Sequence, residues 1–396
     1  MIQKRMTLTA PRRVLSIDVL RGITIAFMIL VNDPGDWGHV YGQLDHCPWN
    51  GLTLTDLVFP TFLFVMGASL IYSIAARRAR GNCKGTLAGH ILRRAAILFA
   101  LDIALSGFPE YHLAHMRIYG VLTRIALCYL LAGLILLATR RMAALAAICA
   151  VLLVGYWALL RFVPVPGFGV PTHAIPFLDP DRNLVSWVDR GFSAFTMRWL
   201  HTGVLYHQTR DPEGALSTLP AIATTLLGSI AGLFMRSDRS AAAKRNGLAL
   251  AGVVGLVAGW IWNFSFPVNK NMWTSSYVLV AAGCSVLGLA LCYWLFDMER
   301  VQERSGFARA AVWPGLVCGS NAIVVYEMSD LVVDLSYLIK VPDHGRLTTL
   351  WSWIYGNGFS HGRSTELTSL AFAVFVVAVC FVPNWMLWRK RIFVKI

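Results

Sequence analysis

An all-α, polytopic transmembrane bundle of about ten spanning helices is predicted by composition, by apolar runs and by where the basic residues fall. Of 396 residues, 56% are hydrophobic and only 14% charged, with a mean hydropathy of +0.58, against about 25% charged residues in soluble domains. Apolar runs of the roughly 20 residues that a spanning helix needs lie near 14–33, 53–76, 89–108, 117–138, 142–162, 214–235, 246–265, 273–296, 309–330 and 367–388. The net charge is +14, but the lysines and arginines gather in short clusters between alternate apolar segments. That is the positive-inside pattern rather than a phosphate-binding face, so no nucleic-acid partner is expected.

Taken in order, the N-terminal basic residues Lys4, Arg5, Arg12 and Arg13 and the apolar run behind them resemble a signal segment. No small-residue cleavage site follows, and Asp33-Pro34-Gly35-Asp36 is a poor one, so the run reads as an uncleaved first helix. If the helices alternate, the clusters Arg77-Arg78-Ala79-Arg80 with Lys84, Arg93-Arg94, Arg140-Arg141, Arg236 to Arg245, Arg300 to Arg309 and Arg389 to Lys395 share one side with the N-terminus. That side is the cytoplasm, and both termini are cytoplasmic. The opposite loops fall near 34–52, 109–116, 163–213, 266–272 and 331–366. The loop 163–213 is an elaboration rich in Pro, Gly and aromatics, in which Leu184 to Leu200, with Trp187 and Trp199, is expected to lie along the membrane interface. Trp351, Trp353 and Tyr355 mark a second interfacial or re-entrant piece. Eight cysteines are scattered without a C-x-x-C pair, mostly inside apolar runs, so they read as small apolar residues and neither a disulfide framework nor a metal site is expected. No internal repeat or separate soluble domain is visible, so 1–396 is read as one membrane domain.

The chemistry-bearing residues gather between Arg21 and Gly67, where two apolar segments are joined by a loop with acids, histidines and tryptophans but no lysine or arginine. Arg21 precedes Asn32 by eleven residues, about 16 Å of helix, or roughly half of the ~30 Å hydrocarbon core. It is either a cation for a phosphate entering from the cytoplasm, or an arginine that snorkels or pairs with Asp18. His46 is a candidate base or acyl acceptor and Asn32 a candidate oxyanion donor. Against this, Asn32 also suits a helix end, and His39, His112, His115 and His173 compete with His46. Asp56 is either an orienter for His46, a partner for Arg117 or Arg124, or a helix cap.

Arg117 and Arg124 are seven residues apart on one helical face, lining a polar cavity or pairing with Asp102 or Glu110. Asp211 suits a cap at the start of the sixth helix, and Glu213 is free to meet a sugar hydroxyl or amine. Lys270 beside Trp273 is either an interfacial anchor or part of a sugar-stacking site. Asn321, Tyr326 and Glu327 lie in the ninth helix, where amides often bond neighbouring helices.

Several of these segments together resemble the heparan-α-glucosaminide N-acetyltransferase family over nearly the whole chain. They are Ser16-Ile17-Asp18-Val19-Leu20-Arg21-Gly22, the loop from Asn32 through His46-Cys47-Pro48-Trp49-Asn50-Gly51 to Pro60, Arg124-Ile125-Ala126-Leu127-Cys128-Tyr129, Asp211-Pro212-Glu213-Gly214, Asn269-Lys270 with Trp273-Thr274-Ser275-Ser276, and Asn321-Ala322-Ile323. The likeness is greatest to bacterial inner-membrane members. The family's lysosomal member moves acetyl from cytosolic acetyl-CoA to a terminal glucosamine on the lumenal side. The resemblance therefore implies His46 as the catalytic histidine, Asn32 as the active-site asparagine and Arg21 near the CoA. The chain lacks the lysosomal enzyme's large lumenal N-terminal region and first helix, so a small periplasmic amino sugar is the expected acceptor.

The resulting expectation is a transmembrane acetyltransferase of the bacterial inner membrane that takes acetyl-CoA from the cytoplasm. His46, Asn32 and Asp56 carry the chemistry, and Arg21, Arg124 and Asn321 hold the donor. Trp49, Glu213, Lys270 and Trp273 hold the acceptor. Membrane lipid is the surrounding partner, and a homodimer is left open. The alternative is a transporter for N-acetylglucosamine or a related sugar, with broken helices around Pro60 and Pro220. The absence of a visible inverted repeat, and polar residues gathered at the outer face, favour the enzyme.

Overall fold

The computed structural model describes residues 14–343 and 345–394; Lys4, Arg5, Arg12, Arg13 and Lys395 lie outside the described residues. The chain forms helices α1 (Leu15–Asn32), α2 (Val58–Ala79), α3 (Lys84–Gly107), α4 (Val121–Ala138), α5 (Met142–Phe162), α6 (Leu184–Leu200) and α7 (Thr218–Met235). It continues through α8 (Ala241–Trp262), α9 (Ser275–Cys292), α10 (Val301–Arg304), α11 (Gly306–Ser320), α12 (Ala322–Leu338), α13 (Leu350–Tyr355) and α14 (Glu366–Arg389). One antiparallel hairpin, β1 (Lys340–Asp343) and β2 (Arg346–Thr349), interrupts this all-α architecture in the last large loop.

Among the described residues, eight helices are long and apolar enough to cross a membrane, and a bent pair makes up to nine. The further expected span, α3, falls short because Arg93, Arg94 and Asp102 interrupt its apolar run. Exposed Leu250, Val253, Val254, Val257 and Ile261 on α8 face outward, as lipid-facing side chains do. The protein is an integral membrane protein. Arg140, between α4 and α5, has its pKa lowered first by burial and then by Arg78 and Arg236, so three basic turns do converge on one end of the bundle.

The ninth expected span is corrected. A bend of 84° separates α11 from α12 at Ser320 and Asn321, and the Asn321 side chain holds the backbone of Ile392 (3.1 Å) and Val394 (2.8 Å). Beyond the bend, α12 runs on to Leu338 rather than stopping near 330. The sixth span begins at Thr218 rather than 214, after Ser217. Asp211 therefore does not cap it.

In lipid no hydrophobic drive pulls helices together, and small residues that admit close backbone approach take its place. Helices α1 and α11 meet where a Cβ on Gly22 would stand 1.7 Å from the Gly315 carbonyl oxygen. Likewise α2 meets α7 where a Cβ on Gly67 would stand 1.9 Å from the Thr225 oxygen, beside a hydrogen bond of 3.1 Å from Ser229 Oγ to the Gly67 carbonyl. Gly67→Ala is thus expected to destabilise the detergent-solubilised protein by about 1–3 kcal/mol, read as a lowered Tm. Gly42→Ala, with nothing within 4 Å, is the control and leaves Tm unchanged.

Candidate active site

The loop between α1 and α2 is built around Asp56, whose side chain is fully buried at the turn that opens α2. One oxygen, Oδ2, accepts from Thr53 N and Thr53 Oγ1, both at 3.0 Å, and from Cys47 N at 3.2 Å. The other, Oδ1, stands 2.9 Å from His46 Nδ1. The buried tyrosine hydroxyl of Tyr277 donates to the Asp56 carbonyl. A carboxylate so held fixes which ring nitrogen carries the proton: Nδ1–H faces Asp56 and Nε2 is left as the free base. The His46 side chain is 42% exposed, so a substrate can reach it.

The turn between α8 and α9 supports this loop from the side. Gly51 N donates to the Val268 carbonyl at 2.8 Å, and Asn269 Nδ2 donates to Asn50 Oδ1 at 3.0 Å. The fully buried Asn269 side chain also receives Met272 N at 2.9 Å, and Tyr156 on α5 donates to the Met272 carbonyl at 2.6 Å. This rigid turn carries Lys270, whose Nζ lies 3.2 Å from each nitrogen of His46. Burial lowers the pKa of Lys270, an effect that Glu213 and Asp56 oppose.

Other expected site residues sit around this pair. Asn32 closes α1 with an exposed side chain that makes no hydrogen bond to His46 among the described residues. Glu213 accepts from Arg117 at 3.2 Å, and the same guanidinium grips both oxygens of Asp211 at 2.8 and 2.9 Å. Burial opposes the charge on Arg117, but the two acids outweigh it and raise its pKa. Among the described residues neither Asp102 nor Glu110 hydrogen-bonds to it; Asp102 instead accepts from Thr123 N at 2.9 Å. Trp49 donates to the Leu178 carbonyl at 2.9 Å and lies beneath Arg210, which ties it to the 163–217 segment.

Trp273 is corrected from an outer-face residue to a core one. It is 1% exposed, wedged edge-on between Phe59 and Tyr277 and donating to Thr224 Oγ1 at 3.2 Å. No face of its indole is open to stack on a sugar. Arg124, also fully buried, packs over this indole at 5.0 Å and donates to the Gly214 carbonyl and Ser217. Its Nε and Nη1 have no hydrogen-bond partner among the described residues.

At the arginine-rich end lies a cavity of about 480 Å³ between α1, α2, α3, α4 and the α11–α12 bend. Arg21, Arg77, Arg93 and Arg94 line it together with His90, and among the described residues no carboxylate does. Arg21 is held at the wall by Asp18 at 2.6 Å and by the Gly319 carbonyl, so the pairing expected three residues back coexists with a place on the cavity. Asn321 lines it as well, with its amide already engaged by the C-terminal segment. The cavity follows α2 from Arg77 to Phe62, about 22 Å at 1.5 Å per residue, and reaches Ile125, the neighbour of Arg124. Asp56 lies six residues beyond Phe62.

Of the three residues expected to hold a donor, the structure brings Arg21 and Asn321 to this cavity and leaves Arg124 near the histidine loop. Arg77, Arg93 and Arg94 belong to the basic cytoplasmic helix ends that the sequence reading expects to meet the donor's phosphates, although it singles out none of them, and His90 is not anticipated. The signal for two of them was present: Arg93 and Arg94 fall within an apolar run, where an ionisable residue is costly and marks a pathway.

Comparison with known proteins agrees with this architecture. The family model described as heparan-alpha-glucosaminide N-acetyltransferase, catalytic, matches residues 13–267, which include Asn32, His46, Asp56 and Arg124 but not Lys270. Two curated relatives carry the name heparan-alpha-glucosaminide N-acetyltransferase. The human protein is 28% identical over 431 aligned positions, covering 98% of this chain and 60% of its own length. The mouse protein is 26% identical over 436, covering 98% and 61%. The chain thus spans about 60% of the length of these relatives. With the family model matching well over half of its residues, the chain belongs to the heparan-alpha-glucosaminide N-acetyltransferase catalytic family.

Proposed function

We propose that this protein moves an acetyl group from acetyl-CoA, bound at the arginine-lined cavity from the cytoplasm, to the amine of a glucosamine-type sugar on the periplasmic side of a bacterial inner membrane. The observation that carries the reading is that α2 bears both halves of such a reaction. Its Arg77 end lines a cavity rich in arginines, and the turn that opens it, at Asp56, orients a solvent-reachable imidazole. Four arginines on one cavity wall, of which Arg21 is held by Asp18, suit the phosphates of a nucleotide thioester. The apolar side chains of Phe62, Met66 and Leu70 on the cavity lining suit its uncharged arm. The buried unpaired Nε and Nη1 of Arg124 are donors awaiting an acceptor, which supports a place for this residue near the acyl end.

In this reading His46 Nε2 takes the proton of the attacking amine, and Asp56 holds the ring tautomer. Asn32 steadies the tetrahedral oxygen, and Lys270 and Glu213 face the acceptor. Attack by His46 itself on the thioester, forming an acetyl-imidazole, uses the same geometry. Sealed vesicles test the reading: labelled acetyl-CoA supplied at the arginine-rich face yields labelled N-acetylglucosamine on the opposite side. Sugar uptake independent of CoA would instead favour transport, for which the bend between α11 and α12 is the structural motive.

For Arg94, whose guanidinium stacks on Tyr129 at 4.7 Å, replacement by alanine is expected to raise KM for acetyl-CoA about 10- to 100-fold, the range for losing a hydrogen bond to a charged group. Its kcat stays within about threefold. Steady-state kinetics at fixed acceptor concentration checks both.

A further inference from the structure

We propose that Lys270 is the acid of this site, returning a proton to the departing sulfur of the thioester while His46 removes one from the incoming amine. The proposal rests on the acetyl-transfer reading above. Its ground is the way Lys270 meets the ring. Nζ stands at the same 3.2 Å from Nδ1 and from Nε2. In the plane of the imidazole a point that near both nitrogens would collide with Cε1, which lies between them, so Nζ sits over the ring face. The in-plane direction of Nδ1 is taken by Asp56 at 2.9 Å. The in-plane lone pair of Nε2 is therefore left open to substrate, and the ammonium beside it is not consumed in a hydrogen bond to that lone pair.

Two proton carriers packed face to face cannot both be cationic without cost, since like charges at such a separation repel strongly where water is scarce. The other charged groups facing Lys270 are Asp56, Glu213 and Arg124. Of these, Glu213 is engaged by Arg117 and Asp56 by His46. Proton uptake at His46 thus favours proton release from Lys270, and burial that weakens the hold of the ammonium on its proton assists that release.

The step balances. The acceptor nitrogen bonds to the acyl carbon, the carbon–sulfur bond breaks, the amine proton passes to His46 Nε2, and sulfur leaves as a thiol with a proton from Lys270 Nζ. The exposed imidazolium then gives its proton to solvent and the neutral lysine takes one up, which restores the starting state. The net charge of the trio Asp56, His46 and Lys270 is unchanged across the transfer, which suits a site at the edge of a bilayer.

The test is kcat as a function of pH for the wild type, K270M and K270R with acetyl-CoA and glucosamine. In the wild type kcat falls on the alkaline side as Lys270 loses its proton, earlier than for a freely solvated lysine. K270M lowers kcat about 100-fold, the lower bound for losing an acid–base group, leaves both KM values within about threefold, and abolishes the alkaline fall. K270R recovers part of kcat and moves the fall upward, because a guanidinium keeps its proton. A wild type that transfers acetyl, with a K270M that retains kcat or loses it while keeping the alkaline fall, overturns the role of Lys270 and leaves the acetyltransferase reading intact. A wild type with no transfer overturns both. Should K270M not fold, an unmoved alkaline fall in K270R overturns the proposal by itself.

Discussion

His46→Ala is expected to lower acetyl transfer about 10³- to 10⁴-fold in a variant that remains folded. General acid–base groups contribute roughly 10²- to 10⁴-fold, and this residue is placed at the upper end because the acid that orients it is fully buried, whereas Asp36 beside His39 is 33% exposed and Glu110 beside His112 is 74% exposed. Folding survives because the imidazole is 42% exposed and Asp56 keeps its bonds to Thr53 and Cys47. Transfer of labelled acetyl by purified protein, normalised to the folded fraction, is the measurement. Full activity in a folded His46→Ala protein would remove the histidine from the mechanism.

Asp56→Asn comes second, with kcat expected to fall about 10³-fold at nearly constant KM. A buried carboxylate that orients a base acts by choosing the tautomer, and an amide of the same shape presents a donor where only acceptors belong. Here Oδ1 faces the imidazole while Oδ2 receives three donors. The asparagine amide can satisfy one set only by turning its NH₂ toward the other. If its oxygen keeps the bonds from Thr53 and Cys47, the NH₂ donates to Nδ1 and forces the proton onto Nε2, so the base is lost. The loss should therefore be larger in kcat than in stability, since Tyr277 still anchors the backbone of residue 56. Nitrogen-15 spectra of a His46-labelled protein would show the change of tautomer directly, and an unchanged tautomer with unchanged kcat would refute the orienting role.

Some of this was legible before folding. His46 and Asp56 were legible as candidates on a loop with acids and histidines but no lysine or arginine, each with a bland reading beside it until the family resemblance singled out His46, and Arg21 was legible because a cation eleven residues before the outer end of an apolar helix must find a partner. Glu213 and Arg117 were each visible too, but their pairing was not: they are 96 positions apart, and no periodicity links residues at that range. Trp273 was misjudged for a related reason. An aromatic next to a loop lysine has the composition of an interfacial belt, and only packing against Phe59, Tyr277 and Arg124 draws it inside.

Hydropathy and charge were enough to establish a helical membrane protein with its basic turns on alternate loops, because the lipid core admits few solutions for the backbone and charges sort by side. Distances across the bundle were beyond their reach. Which arginines share a cavity, where the broken pair α11 and α12 bends, and that Lys270 comes to rest on the face of an imidazole 224 positions away depend on glycine-mediated helix contacts and loop-to-loop hydrogen bonds. Such contacts join segments remote in the chain, and they exist only once the helices have packed.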